Sequence, residues 1–308
     1  MIHEYAILPG VFDPTNYTSP DACDFSLRWL KNGLLRSGLV RNLHDGSWES
    51  AVKENPNSLH MRAKELLKKL IQQGRLEIAP KEREAQPLAD LEWLDEALLA
   101  HARTSLSAVL AVKAIKSLNP YKDNPLIEAV ESLDSSPKWC GNCGTETITR
   151  DAATYLGHLT ALVRTSRSIM LIDPHLDPSE NRYQVVRELL RKCDGRTVKP
   201  LIEIHRVCYK GTGASRQFPD WESIFRAELG SVAAYTDSLK VFIWDDFHDR
   251  ALISNLVGIL MPNGFDVDQG NVGSTTWARM ERHSVEQIQR EFDPASGKHQ
   301  LNKEFVLY

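Results

Sequence analysis

The sequence predicts an α/β protein, in which a mainly helical N-terminal domain (residues 1–150) precedes an α/β/α sandwich with a mixed sheet (residues 151–308). Three observations support this class. Helical periodicity dominates the first half. After residue 151, short apolar runs alternate with segments of helix length. Between the halves, residues 132–151 are rich in Ser, Pro and Gly and have no apolar period, which indicates a boundary.

The N-terminal half contains two long helical patterns. Residues 61–74 place leucines at helical spacing and end at Gly74, and residues 88–118 continue in the same manner. The opening "EYAILP" predicts a short edge strand. Charges of mixed sign at i,i+4 spacing indicate solvated helix faces over a shared core. We expect this half to dock a protein partner.

The C-terminal half predicts helices and strands in alternation. The helices are predicted at "AATYLGHLTALVRTSRS", "ENRYQVVRELLRKCDG" and "FPDWESIFRAELGSVAAY". The strands are predicted at residues 169–174 and 199–207 and at "LKVFIWDD", "HDRALIS" and "VGILMPNG". Helices of this length between strands favour a largely parallel or mixed sheet, in which the loops at the strand ends carry the chemistry.

The composition is that of a globular protein, with 42% hydrophobic and 25% charged residues among 308. The net charge of -4 gives no global attraction to nucleic acid, so a polyanion site must be a local patch. No apolar run approaches the roughly 20 residues of a membrane helix, and the N-terminus lacks the features of a signal peptide. We therefore expect a cytoplasmic protein without a transmembrane segment.

The five cysteines are scattered and odd in number, which favours reduced thiols over a disulfide framework. Cys140 and Cys143 have the spacing of half a zinc site. Because no second CxxC or His pair follows at a usable distance, a loop with two thiols is favoured over a metal site. Whether this pair binds a metal stays open.

The segment "WDDFHDRALIS" (residues 244–254) places a histidine and an arginine inside an apolar strand pattern. In a strand, His248 and Arg250 point to the same face. A neutral imidazole can attack phosphorus or accept a proton, and a planar guanidinium can bind two phosphate oxygens at once. The pair therefore predicts a site that handles phosphate.

The string "HDRALISN", followed by "GILMPNGFD", resembles the motif of the phospholipase D superfamily. The strands "IMLIDP" and "KPLIEIHRV" resemble the first strands of that fold, so the resemblance covers about the C-terminal half. It implies that His248 is the nucleophile and that Arg250 replaces the phosphate-binding lysine. It further implies that Asn255 replaces the motif aspartate and that Asp266 or Asn263 is the downstream polar residue. The string also resembles the membrane-binding C-terminal domain of MIT-domain proteins.

This resemblance implies a phosphodiesterase, most simply a nuclease, which acts through a phospho-histidine intermediate and needs no metal or other cofactor. More loosely, it implies a role in bacterial defence against phage. A reaction of this type needs a second histidine that protonates the leaving oxygen. Because the chain carries one copy of the motif, the resemblance implies that this histidine comes from a second copy of the chain, in a homodimer whose axis passes near His248. His175 and His205, at predicted strand ends, are further candidates for the same crevice, with a structural role as the alternative.

A local excess of positive charge lies between residues 187 and 216, where eight Lys and Arg oppose three acidic residues. Arg206 and Lys210 lie within it, beside a Gly-rich loop whose backbone N–H groups are suited to face phosphates. Nucleic acid, DNA or RNA, is favoured over lipid because the chain has no amphipathic helix of the membrane-surface kind. Two alternatives stay open: a non-catalytic module that binds a phosphodiester or phosphoinositide, and a structural adaptor.

Overall fold

The structure, a computed structural model, describes residues 2–54, 60–136, 138–139, 144–268, 270 and 273–308. The chain divides into two units, Ile2–Cys143 and Gly144–Tyr308. The α/β class is confirmed, with a parallel sheet in the first unit and a mixed sheet in the second. In the described segments, every helix is too short or too polar to cross a bilayer. The predicted thiol pair Cys140 and Cys143 lies outside the described residues.

The N-terminal unit is built on a parallel sheet with the strand order β3-β2-β1-β4-β5. Its strands are β1 (His3–Ile7), β2 (Gly38–Asn42), β3 (Leu76–Ile78), β4 (Ala108–Ala111) and β5 (Ile127–Ala129). Its helices are α1 (Pro20–Ser37), α2 (Ser47–Lys53), α3 (Met61–Gln72), α4 (Asp90–Arg103) and α5 (Lys113–Lys116). Short 3-10 turns lie at Pro9–Phe12, Pro14–Asn16 and Val130–Ser132.

The sequence indicates helices and one short edge strand for this half and does not predict its five-stranded sheet. The helix expected at residues 61–74 is present as α3, but residues 88–118 divide into α4, β4 and α5. All four residues of β4 are buried. A short continuous apolar run is typical of a parallel strand covered on both faces, and periodicity alone cannot distinguish it from a buried helix. The strand predicted at an edge, β1, is the central strand of the sheet.

The C-terminal unit has a mixed sheet of eight strands in the order β13-β9-β8-β7-β10-β11-β12-β6. The strands are β6 (Thr145–Thr149), β7 (Ser168–Ile172), β8 (Leu201–Val207), β9 (Ser238–Trp244), β10 (Ala251–Ser254), β11 (Gly258–Leu260), β12 (Ser274–Arg279) and β13 (Leu301–Leu307). The helices are α6 (Ala152–Thr165), α7 (Gln184–Arg191), α8 (Trp221–Ala233) and α9 (Arg282–Glu291). Short 3-10 turns lie at Asn181–Tyr183, Gly213–Ser215 and Pro294–Ser296.

The segment that carries His248 and Arg250 is a connection, whereas the sequence predicts a strand there. β9 ends at Trp244, and β10 begins at Ala251. In the sheet, β8 and β7 separate these two strands, so the chain must leave the sheet between them. Phe247 anchors the connection because its ring packs edge-on against Phe292 at 5.0 Å.

Candidate active site

A cleft of about 410 Å³ opens at one edge of the mixed sheet. β7 and β8 run parallel and end at this edge, while β10 runs antiparallel to β7 and begins there. The register pairs Ala251 with Ile172, which brings Arg250 beside the residue that follows β7, Asp173. The basic residues that line the cleft are His175, Arg182, Arg206, Lys210 and Arg250. The other polar or aromatic residues are Asp177, Glu180, Tyr183, Tyr209, Thr212, Trp221, Asn263 and Asp266.

Arg206 is a buried cation in the cleft wall, with 1% of its surface exposed. Its guanidinium donates to the carbonyl oxygens of Val207 (2.7 Å), Leu176 (2.8 Å) and Tyr209 (2.9 Å), and it stacks on Trp221 at 3.1 Å from the ring centroid. Within the described residues, it forms no ion pair with a carboxylate. Burial lowers the pKa of Arg206 to about 9. A bound anion would compensate this buried charge.

Arg250 is held at the cleft by the buried carboxylate of Asp173. Its Nε lies 3.9 Å from Asp173 Oδ1, and its Nη1 lies 3.5 Å from the carbonyl oxygen of Pro262. The same carboxylate accepts hydrogen bonds from the backbone N–H groups of His175 and Phe265, each at 2.9 Å. Burial raises the pKa of Asp173. Asp173 thus ties together the three segments that form this end of the cleft.

Two imidazoles lie near Arg250. His175 lines the cleft, and His248 is exposed in the connection before β10, outside the cleft lining. Partial burial lowers the pKa of His175, and the positive charges of Arg250, Arg206, Arg182 and His248 lower it further. His175 is therefore mainly neutral at pH 7, since even an unperturbed histidine has a pKa of about 6.5.

The remaining cations of the cleft are paired with acidic residues. Lys210 Nζ lies 2.9 Å from Asp177 and 2.5 Å from Glu180, and the hydrogen bond with Glu180 raises the pKa of Lys210. Arg182 pairs with Glu180 at 2.5 Å and with Asp266 at 3.3 Å. Asp266 thus positions Arg182. Arg250, whose carboxylate partner Asp173 lies 3.9 Å away, is the more loosely paired cation of the cleft, and Arg206 adds a buried positive charge to its wall.

Asn255 lies at the edge of the sheet opposite the cleft. The four residues of β10 separate it from Arg250. Its Oδ1 accepts hydrogen bonds from the backbone N–H groups of Arg167 (2.7 Å) and Ser168 (3.3 Å), at the start of β7. This position does not bring Asn255 to a substrate in the cleft, in contrast to the catalytic role that the sequence predicts. Asn263 is exposed at the cleft rim, and its role as the downstream polar residue stays a prediction.

His205 is a core residue, which corrects its prediction as a substrate-binding group. Its ring is 0% exposed, stacks on Phe242 at 4.8 Å, and accepts a hydrogen bond from Trp244 Nε1 at 3.1 Å. Successive strand residues point to opposite faces, so Arg206 reaches the cleft while His205 faces away from it. The alternating sequence pattern alone could not show whether His205 or Arg206 points to the cleft.

Only two of the eight basic residues between 187 and 216, Arg206 and Lys210, line the cleft. Others satisfy local partners: Arg191 pairs with Glu188, and Lys199 donates to the carbonyl oxygen of Ala234 at 2.7 Å. The local excess of positive charge is therefore not one continuous surface. The Gly-rich loop reaches the cleft through Gly211 and Thr212.

Several residues that form or support the cleft were not predicted from the sequence. Asp173 lies at the end of the strand predicted at residues 169–174 and directly follows the observed strand β7, and that position was a usable signal. Arg182, Tyr209 and Trp221 had no such signal, because folding brings them to the cleft from a 3-10 turn, a loop and the first residue of α8.

Gly264 is a glycine that the site requires. It has φ of +60°, and a Cβ at this position would overlap the Asp173 carboxylate. We expect Gly264→Ala to lower the free energy of unfolding by about 1–2 kcal/mol for the left-handed backbone and by about 1–3 kcal/mol more for the overlap. Gly297→Ala is the matched control, since φ there is +65° and nothing lies near the added carbon. Equal losses in urea unfolding of the two variants would contradict the contact with Asp173.

Because His205 is buried in the core, we expect the stability of the fold to fall at acid pH. Burial lowers its pKa in the folded chain, so the unfolded chain binds the proton more readily. The contribution of His205 to the free energy of unfolding is fully present above the ordinary histidine pKa of about 6.5, and it falls as the pH drops below that value. We expect His205→Gln to lose less thermal stability than the parent between pH 7.5 and pH 5.5. The exposed His283 provides the control His283→Gln, which should keep the parent's pH dependence.

Comparisons with known proteins do not assign the chain to a family. No family profile and no curated protein matches it. Among solved structures, it is similar to TrmBL2, an archaeal chromatin protein with a novel mode of DNA binding (14% identity, 83% of this chain, 87% of that chain, TM-score 0.31). It is also similar to NucT from Helicobacter pylori (9% identity, 51% of this chain, 98% of that chain, TM-score 0.34). A third similar structure is polyphosphate kinase from Porphyromonas gingivalis (10% identity, 74% of this chain, 34% of that chain, TM-score 0.32). At these TM-scores, the function has to be argued from the chemistry of the cleft.

Proposed function

We propose that the C-terminal unit binds a phosphodiester in this cleft and cleaves it without a metal ion, with nucleic acid as the substrate. One observation supports the anion site above all: Arg206 carries a buried positive charge that contacts three carbonyl oxygens and the Trp221 ring but, among the described residues, forms no ion pair with a carboxylate. Arg250 adds a second guanidinium at the same edge of the sheet, and two imidazoles lie near it. This combination can hold a phosphate and also supply a nucleophile and a proton carrier.

In the proposed reaction, the exposed His248 turns from the connection before β10 to the cleft rim beside Arg250. One of its ring nitrogens forms a bond to phosphorus while the bond from phosphorus to the leaving oxygen breaks. The protonated form of His175, which is the minor form at pH 7, gives its proton to that oxygen. In the second step, water attacks the phospho-histidine, neutral His175 takes a proton from the water, and the bond from phosphorus to His248 breaks. Arg250 and Arg206 stabilise the phosphate oxygens throughout. With His175 in this role, one chain holds both histidines.

The homodimer predicted from sequence offers a different second histidine, namely His248 of a second copy. We favour His175 because it lines the same cleft as Arg250. The dimer, the protein partner of the N-terminal unit and a role in antiviral defence stay predictions.

Cleavage is expected to survive about 5 mM EDTA, because the proposed chemistry uses only histidines and arginines. The assay follows DNA and RNA cleavage on gels beside fluorescence-anisotropy titrations, with anionic liposomes as a third ligand. Activity that disappears in EDTA and returns with magnesium or manganese would contradict the proposal.

A non-catalytic phosphate-binding module is the alternative outcome of the same assay. In that case, the parent protein binds nucleic acid or anionic liposomes through Arg250 and cleaves neither under any salt or metal condition. The Arg206 charge would then serve binding alone.

A further inference from the structure

Three side chains with metal-ligating groups lie beside the candidate active site but outside its cleft. Asp249 precedes β10, Glu291 is the last residue of α9, and His299 precedes β13. A carboxylate oxygen from each acid and a ring nitrogen of His299 all lie within 4.8 Å of one another. Three segments that are distant in sequence thus bring their ligand atoms to one place.

No lysine or arginine in the described part of the chain pairs with the two carboxylates. Among the residues that the structure describes, neither Asp249 nor Glu291 forms an ion pair, and the nearby Arg290 pairs with Glu286. The Glu291 carboxylate accepts one hydrogen bond from the described residues, from Gln287 Nε2 at 3.0 Å, while the Asp249 carboxylate accepts none from them. Two like charges at this separation repel each other, and a cation between them would remove that cost.

His299 supplies a second, independent observation. Its Nε2 is buried and has no hydrogen-bond partner among the described residues. Its ring packs against Phe292 at 4.9 Å and against Trp244 and Phe247 at 6.1 Å each. An unpaired buried ring nitrogen is unfavourable, and the aromatic neighbours limit how far the ring can turn to find another partner.

We propose that Asp249, Glu291 and His299 bind one divalent transition-metal ion, with zinc as the preferred ion. One imidazole and two carboxylates suit zinc, whereas magnesium and calcium favour sites made of oxygen alone. Ligand atoms lie about 2.0–2.2 Å from zinc, and the exposed Asp249 is the side chain free to close that distance. A water molecule would complete the coordination.

The ion would join the connection that carries His248 and Arg250 to α9 and to the segment before β13. Asp249, Glu291 and His299 are not among the residues that line the cleft, so the ion would lie outside it. Phe247 already holds this connection through its contact with Phe292. The ion therefore adds stability to the connection, and the cleft chemistry does not use it.

The test measures Zn²⁺ binding to the full chain by isothermal titration calorimetry after dialysis against chelator. Cys140→Ser and Cys143→Ser are present in every variant, so that these thiols cannot bind the probe. We expect one Zn²⁺ per chain, at least about tenfold weaker binding in Asp249→Asn and His299→Ala, and unchanged binding in His283→Ala. Asp249 is exposed, so Asp249→Asn remains informative if His299→Ala does not fold.

No saturable binding in the parent, or the same affinity in Asp249→Asn as in the parent, would overturn the site. A loss of equal size in His283→Ala would do so as well, because it would place the ion elsewhere. No phosphodiester is present in this experiment. A negative result therefore leaves the proposed cleavage untouched, and inactive protein in the cleavage assay leaves the zinc site untouched.

Discussion

His248→Ala is expected to abolish cleavage while the affinity for nucleic acid stays nearly unchanged. A neutral imidazole contributes little to the binding of the ground-state phosphate, but without it no phospho-histidine can form. His248 is exposed, so its removal should leave the fold intact. His283→Ala, at another exposed histidine, is the control and should cleave at the parent rate.

Arg250→Ala should weaken both binding and cleavage, because a guanidinium contacts the phosphate before and during the reaction. A charged hydrogen bond of this kind contributes roughly 1.5–3 kcal/mol. Arg191→Ala is the matched control, since Arg191 pairs with Glu188 away from the cleft. Gel-based cleavage and fluorescence anisotropy separate the two effects. Unchanged binding and cleavage in both His248→Ala and Arg250→Ala would show that this segment is an ordinary connection between strands.

His175→Gln is expected to lower kcat/KM by about 10²–10⁴-fold with little change in affinity, because it removes the proton carrier. Its pH profile provides a sharper test. Burial and the neighbouring cations lower the pKa of His175, so in the parent the rate should fall as the pH rises through a value below the ordinary histidine pKa. In His175→Gln this decline should be absent from the residual activity.

The oligomeric state, measured by light scattering together with the cleavage assay, shows which histidine is the proton carrier. A monomer that cleaves supports His175, since one chain then holds the whole site. A stable dimer in which His175→Gln keeps full activity would contradict that role and would assign it to His248 of the second copy.

Much of the C-terminal unit could be predicted from its sequence. The apolar runs of β7 and β8, each bounded by turn residues, indicate buried strands whatever surrounds them. The His248 and Arg250 pair was likewise visible, because it directly precedes the apolar run of β10 and has the spacing of a phosphate-handling pair. The parallel sheet of the N-terminal unit was not, since the four buried residues of β4 fit a helix and a strand equally well.

By itself, the sequence determined the α/β class, the strands around the cleft and the chemical types available at their ends, because these depend on local periodicity and on residue chemistry. Only the tertiary structure decided which of those residues meet. It turned His205 into the core and its neighbour Arg206 to the cleft, and it placed Asn255 at the far edge of the sheet. It also brought Trp221 against Arg206. These outcomes depend on strand order, register and the covered face of each strand, which arise from contacts between segments distant in sequence.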